Sequence, residues 1–188
     1  ASLAIADAVG RDLLTADGVP ADTAKATKRF VEVMGTAAEA LGAANATFAD
    51  PYGLSAIIAA TARVMGLIAA KVFTDARLLP AWACSERRLH IDGKRPRDVA
   101  LKTILEILGE GSVIGAKTGS YMSKNIYNLV AAWHAPNGQT IVGVVLGSTS
   151  NAARYGEMRS LIDALPRDFP ELGVIATDAS PRPAGACH

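Results

Sequence analysis

The feature that most limits what this chain can fold into is a change of vocabulary past its middle. From Ser112 onward, three runs rich in Val, Ile, Leu, Thr, Tyr and Trp follow one another at strand length, over 112–119, 127–134 and 140–147. Only Ala135-Pro136-Asn137-Gly138-Gln139 separates the second run from the third. Asn-Gly supplies the positive backbone angles of a tight reversal, so these two runs are neighbours in an antiparallel hairpin. Such a sheet needs cover for its apolar faces, and most of the remaining sequence reads as helix.

Leu3, Ile5, Ala6, Val9, Leu13 and Leu14 recur at helical spacing over 2–14, with no capping residue ahead of them. After the break at Asp17-Gly18-Val19-Pro20, Ala21-Asp22-Thr23 opens a second helix. Its apolar face runs from Phe30 through Val31, Met34, Ala37 and Ala38 to Leu41, and Gly42 stops it. A loop is expected over 45–54, with the Asp50 side chain ordering the turn at Pro51-Tyr52-Gly53. Apolar residues without alternation predict a third helix over 55–73.

The segment 78–96 is the most basic of the chain. Glu86, Asp92 and Asp98 nevertheless interleave with Arg87, Arg88, Lys94, Arg95 and Arg97, which predicts a solvated loop or edge hairpin rather than an anion site. A short helix or turn is expected over 99–108. Ser150 or Asn151 caps a last helix to about Leu165, with Tyr155, Met158, Leu161, Ile162 and Leu165 on its buried face. The order of helices, antiparallel meander and returning helix is an α+β layout, with an antiparallel sheet flanked by helices. It implies one folded domain over 1–165 and a Pro/Gly-rich tail over 166–188.

Composition removes several function classes. Half of the residues are apolar, enough for a packed core, and the net charge is only +1 with 5% aromatic residues. No global charge draws the chain to nucleic acid or to an anionic membrane, so any partner must be recognised locally. No stretch is long and apolar enough to span a bilayer, and Ala1-Ser2-Leu3-Ala4 lacks the pattern of a signal peptide, so an export signal is expected upstream. His90, His134 and His188 are scattered, no metal-ligand spacing occurs, and neither metal nor cofactor is expected. Trp82 and Trp133 read as packing residues. Cys84 and Cys187 leave two readings open, a single bridge or a buried thiol with a loose tail thiol; the second is preferred, because pairing needs a geometry that sequence does not supply.

Chemistry concentrates at Gly115-Ala116-Lys117-Thr118-Gly119-Ser120, at the end of the first predicted strand. On a strand, Lys117 and Gly119 share one face and Thr118 takes the other, while a glycine lets a ligand approach the backbone closely. An ammonium and a hydroxyl placed this way can grip a carboxylate, and the backbone N–H beyond them can face an oxyanion.

Lys-Thr-Gly is one of the three signatures of penicillin-recognising acyl-serine enzymes, and the blocks around it extend the likeness. Leu41-Gly42, Thr47-Phe48 and Asp50-Pro51-Tyr52-Gly53-Leu54 resemble a stretch of the low-molecular-mass serine D-alanyl-D-alanine carboxypeptidases, the S11-like penicillin-binding proteins. Ala60-Thr61-Ala62 is similar to the opening of that family's next helix. Tyr127-Asn128-Leu129 and Gly143-Val144-Val145-Leu146-Gly147 look like its two strands after Lys-Thr-Gly.

The resemblance implies a β-lactamase/transpeptidase-like fold and acyl transfer on peptidoglycan peptides ending in D-Ala-D-Ala, with β-lactam antibiotics as a second class of ligand. It implies that Lys117, Thr118 and Gly119 bind the substrate's terminal carboxylate, that the Ser120 N–H serves an oxyanion hole, and that the enzyme works outside the cytoplasm, with any membrane attachment made by parts not in this chain. No serine here is followed three residues later by lysine, so the nucleophile is absent. Ser123-Lys124-Asn125 lies after Lys-Thr-Gly, the wrong place for the Ser-x-Asn motif, and reads as loop; 106–111 lacks the family's asparagine-rich approach. The sequence is therefore expected to lack an N-terminal segment of the same protein, whose strands would pair beside 140–147 and leave that edge bare here. The rival readings are a class A β-lactamase-like hydrolase, whose Glu-x-x-Leu-Asn loop is missing, and a non-catalytic module of the same fold.

Overall fold

The structure is a computed structural model that describes residues 1–55 and 57–175. It forms two compact units, residues 1–68 and 69–188.

The first unit begins with helices α1, Ser2–Ala16, and α2, Thr23–Ala40. No side chain caps α1, whereas Asp22 caps α2 by accepting from the Lys25 backbone N–H at 2.8 Å. The two helices touch at Gly10 and Ala26, where a Cβ on Gly10 would stand 2.0 Å from the Ala26 carbonyl oxygen. Glycine is thus required for the crossing itself. Arg11 clips the connection, donating to Asp7 at 3.0 Å, to the Ala21 carbonyl at 3.1 Å and to the Thr23 hydroxyl at 2.9 Å.

Beyond α2, buried Ala38, Ala43 and Val64 pack with Phe48 and Ile68. Asp50 organises the turn as its position suggested. One carboxylate oxygen accepts from the N–H groups of Tyr52 at 2.9 Å, Leu54 at 3.3 Å and Gly53, and the other from Ser55 at 2.6 Å. Burial on its own would raise the Asp50 carboxyl, but these amides outweigh it and hold its pKa below the usual aspartate value.

That turn also corrects the expected third helix, because α3 spans only Ala62–Thr74. Ser55 is tied back to Asp50, Thr47 donates to the Ala59 carbonyl at 2.9 Å, and the Thr61 hydroxyl caps the Val64 N–H at 3.2 Å. These local bonds hold the chain ahead of Ala62 out of the helix, and Ile57 is left exposed.

The second unit is built on strands β3, Val113–Tyr121, β4, Ile126–His134, and β5, Thr140–Ser148, antiparallel in the order β3-β4-β5. The Asn-Gly reversal forms as expected, with Gly138 at φ +85° and the Ala135 N–H donating to the Gln139 carbonyl at 2.8 Å. Helix α5, Asn151–Asp168, is capped by the Ser150 hydroxyl and lays Tyr155, Met158 and Ile162 on Ala116, Leu129, Ala131, Trp133 and Val145. The opposite sheet face, Val130 and Ala132 with Ile114, Val142 and Val144, meets Ala69 and Phe73 of α3 and Leu79 and Trp82 of the one-turn helix α4, Leu79–Trp82. Phe73 and Trp82 stack edge to face with centroids 5.4 Å apart. No described strand pairs with the outer edge of β5, the bare edge expected from the sequence.

Four further expectations change. Of the stretch 99–108, expected as short helix or turn, only the end is turn; 99–102 belong to strand β2, Arg97–Lys102, paired antiparallel with β1, Glu86–Ile91, because the alternation of Arg97, Val99 and Leu101 finds a matching partner across the hairpin. Leu161 is exposed on α5, whereas Arg154, not expected on the buried face, is buried. The helix passes Pro166 to Asp168, which costs only one backbone bond near its end, and Leu172 and Ile175 return to the core. Cys84 is disulfide-bonded, against the preferred reading of a buried thiol. Cys187, His188 and the stretch 180–185 lie outside the described residues. Among the described residues, no helix is long and apolar enough to cross a membrane.

Two stability measurements check this account. Gly10→Ala should cost about 2–4 kcal/mol in chemical denaturation, since backbone rather than a flexible side chain blocks the new methyl. Asp50→Ala should cost about 2–3 kcal/mol, the penalty for orphaned amides, at neutral pH. Because the folded-state pKa of Asp50 is depressed, its contribution is complete above the unfolded carboxyl's pKa of about 3.9. The gap between wild type and variant should close as pH falls through the lower folded value.

Candidate active site

Strand β3 is the first member of its sheet, bonded to β4 along one edge only among the described residues. Along an edge strand, alternate backbone groups stay free for a ligand. The last residues of β3 are Lys117, Thr118, Gly119, Ser120 and Tyr121, in register with Val130, Leu129, Asn128, Tyr127 and Ile126 of β4. Lys117, Gly119 and Ser120 are exposed, and Thr118 is half-buried. Alternation sets Thr118 and Ser120 on the α5 side and Lys117 and Gly119 on the other, as expected. The strand end therefore presents its hydroxyls on one face and its ammonium and unshielded glycine on the other. Two hollows, one against α2 and one at the base of the β1–β2 hairpin, are lined by residues other than 117–120. The site lies along the edge of β3 left unpaired among the described residues.

Beneath that edge stands a residue that sequence reasoning passed over. Arg154 is 2% exposed, yet its guanidinium makes no ion pair among the described residues. One terminal nitrogen donates to the Ser120 hydroxyl at 2.9 Å and to the Asn128 carbonyl at 3.3 Å, and the other donates to the Asn151 side-chain carbonyl. The carbon of the guanidinium lies 5.7 Å from the Tyr127 ring centroid and 5.2 Å from that of Tyr155. Rings and neutral oxygens offset part of the cost of burying a cation, and Nε still lacks a partner. A buried charge without a counter-ion favours an incoming anion.

Lys117 supplies a second positive group at the same strand end, from the opposite face of the sheet. Its ammonium donates to the Thr118 carbonyl, and its pKa is lowered first by desolvation and then by the charge of Arg154. Two cations that disfavour one another at a strand end are both relieved by a carboxylate lying along the open strand edge. The arrangement suits recognition of a small terminal carboxylate beside free backbone donors, which is a geometry for acyl transfer.

The support of Arg154 runs outward through Asn151, whose amide donates to Glu106 at 2.7 Å. Tyr155, fully buried, accepts from the Glu106 N–H at 3.3 Å and donates to the Ile104 carbonyl at 3.4 Å. Arg159 closes the loop with two bonds to Glu110, at 3.0 and 2.5 Å. The signal for Arg154 was in the sequence as a charge on the stripe of Met158 and Ile162, at i, i+4 and i+8. Its burial depended on the sheet beneath.

Other candidates fall away from this place. Ser123-Lys124-Asn125 forms a short turn after β3, with Asn125 in the left-handed region at φ +52°. His90 pairs with Asp98 on the hairpin, His134 is exposed at the end of β4, and no group of described residues is suited to hold a metal.

Residues 21–150 match the family of D-alanyl-D-alanine carboxypeptidases, peptidase S11. The match ends four residues short of Arg154. No curated protein sequence matches the chain. Among solved structures, the Streptomyces K15 DD-transpeptidase is similar with a TM-score of 0.74 and 27% identity, over 86% of this chain and 60% of that one. A variant of the same enzyme gives 0.76 and 26% over the same shares. The Mycobacterium tuberculosis D-alanyl-D-alanine carboxypeptidase shares the fold, at 0.57 and 20% over 71% of this chain and 54% of that one. The chain thus spans about 60% of the length of the solved relatives it matches first. With its meander, its Lys-Thr-Gly edge strand and a family match over most of its length, this chain belongs to the D-alanyl-D-alanine carboxypeptidase family, peptidase S11.

Proposed function

We propose that the whole protein is a serine D-alanyl-D-alanine carboxypeptidase acting outside the cytoplasm on peptidoglycan stem peptides. The observation that carries this reading is the pair of cations, Lys117 and buried Arg154, set at the Thr118–Ser120 edge with no carboxylate of their own. Lys117, Thr118 and Arg154 hold the terminal carboxylate of the substrate. Gly119 leaves room for the peptide to lie against the strand, and the Ser120 N–H donates to the oxyanion that forms on the penultimate D-alanine carbonyl.

No serine among the 188 residues has a lysine three positions on, so the reading assigns the nucleophile to sequence outside them. That serine attacks the carbonyl carbon, the C–N bond to the last D-alanine breaks with a proton delivered to its amine, and water then cleaves the acyl-enzyme. β-Lactams acylate the same serine. Strands from outside these residues pair with the bare edge of β5, the sheet edge remote from β3. A second reading follows from the likeness to a DD-transpeptidase, in which an amine replaces water as acceptor.

The test is release of D-alanine by the whole protein from a peptide ending in D-Ala-D-Ala, with product analysis separating hydrolysis from transfer. Lys117→Ala should lower kcat/KM by on the order of 30- to 1000-fold, the cost of unpairing a bound charge. Because the ammonium form binds the carboxylate, kcat/KM should fall as pH rises, with a midpoint below the usual lysine value of about 10.4. Unchanged kinetics in Lys117→Ala would remove the carboxylate-binding role. Arg154→Met should weaken substrate as strongly while leaving thermal stability equal or higher by up to about 2 kcal/mol, since a buried charge is removed with little change of volume. A loss of more than about 2 kcal/mol would mark Arg154 as a structural clamp instead.

A further inference from the structure

The β1–β2 hairpin takes no part in the site described, and its two faces differ in chemistry. Its strands pair residue for residue from Glu86 opposite Lys102 to Ile91 opposite Arg97. Opposed residues of an antiparallel pair share a face, so alternation sorts the side chains cleanly.

One face carries Glu86, Arg88 and His90 across from Lys102, Ala100 and Asp98, and its carboxylates are engaged there. Glu86 lies 3.7 Å from Lys102, and His90 lies 2.7 Å from Asp98 and 3.5 Å from Asp92. The other face carries Leu89, Val99, Ile91 and Leu101 with Arg87 at one end and Arg97 at the other. It holds no carboxylate. Among the described residues, neither these arginines nor Lys94 and Arg95 at the tip enter an ion pair. Leu89, Ile91 and Leu101 are 38%, 39% and 50% exposed, and no residue of either strand is buried.

A two-stranded ribbon is marginal by itself, and an apolar stripe left in water marks a surface that something covers. We propose that this face docks on an anionic phospholipid bilayer. The stripe enters the boundary between headgroups and acyl chains, while the cations at its ends and tip engage lipid phosphates. A soluble polyanion would answer the cations and leave the stripe wet. An uncharged apolar surface would cover the stripe and leave four like charges without partners. An anionic bilayer answers both, and the opposite face, with its ion pairs and Arg88, stays in water. The inference stands independently of the carboxypeptidase reading.

Vesicle flotation tests it, comparing vesicles of phosphatidylglycerol and phosphatidylcholine in roughly equal parts with vesicles of phosphatidylcholine alone. The 188-residue chain and the whole protein should both float with the anionic vesicles and not with the neutral ones. Arg87→Glu with Arg97→Glu should reduce partitioning by on the order of 30-fold or more. Leu89→Thr with Leu101→Thr, which keeps strand propensity, should reduce it comparably. Lys28→Glu with Lys71→Glu makes the same change of net charge off the hairpin and should stay within about threefold of wild type. Equal loss in that control, undiminished binding by the threonine variant, or absence of flotation would each overturn the proposal. Flotation by the 188-residue chain that vanishes in the whole protein would show instead that the rest of the polypeptide covers the stripe.

Discussion

Strand β4 is buried along both faces, and the second unit depends on that. Leu129, Val130, Ala131, Ala132 and Trp133 are all within 8% exposure, so the strand has no solvent side. Odd-numbered members face α5 and even-numbered ones face α3 and α4, which makes one strand the shared wall of two cores. A slip of one residue would exchange these sets and put Trp133 where an alanine fits. Register is therefore fixed on both edges of β4 at once. The placement of Lys117-Thr118-Gly119-Ser120 on β3 follows from it, because each of those residues is paired with a fixed β4 partner.

At the end of β4, packing gives way to chemistry. Asn128 faces Gly119, offers its backbone carbonyl to Arg154, and accepts from the Gly147 N–H at 2.8 Å through its side chain. One residue thus ties the edge strand, the buried cation and the end of β5 together. The cation is held by neutral oxygens and ring faces alone, an arrangement that fixes position without neutralising charge. A structural arginine is better stabilised by a carboxylate, as Arg159 is by Glu110 one turn further along the same helix. The two arginines of α5 show the contrast within a single element.

The hairpin applies the same alternation to a different end. In β4 it divides two cores, whereas in β1 and β2 it divides the face that holds the hairpin's ion pairs from an apolar one with unpaired cations at its ends. Net charge near zero conceals this, since it sums over the whole chain while the hairpin itself carries more basic than acidic residues.

Much of this was legible in the residues themselves. The Asn-Gly reversal, the Asp22 and Ser150 caps, the Asp50 turn and the Lys-Thr-Gly strand end are local features, determined within a few residues by backbone angles and short-range hydrogen bonds. The family likeness rested on the same kind of local blocks. The start of α3 was misjudged because an apolar run has the same letters in a helix and in a chain tied back by Asp50 and Thr47. The strand pairing of Arg97–Lys102 was missed because alternation over six residues is weak until a partner strand is in place. The burial of Arg154 was decided by tertiary structure alone. Whether a charge on a helix stripe meets water or the underside of a sheet depends on residues 26 and 34 positions away in the chain, Asn128 and Ser120, and only folding brings them to it.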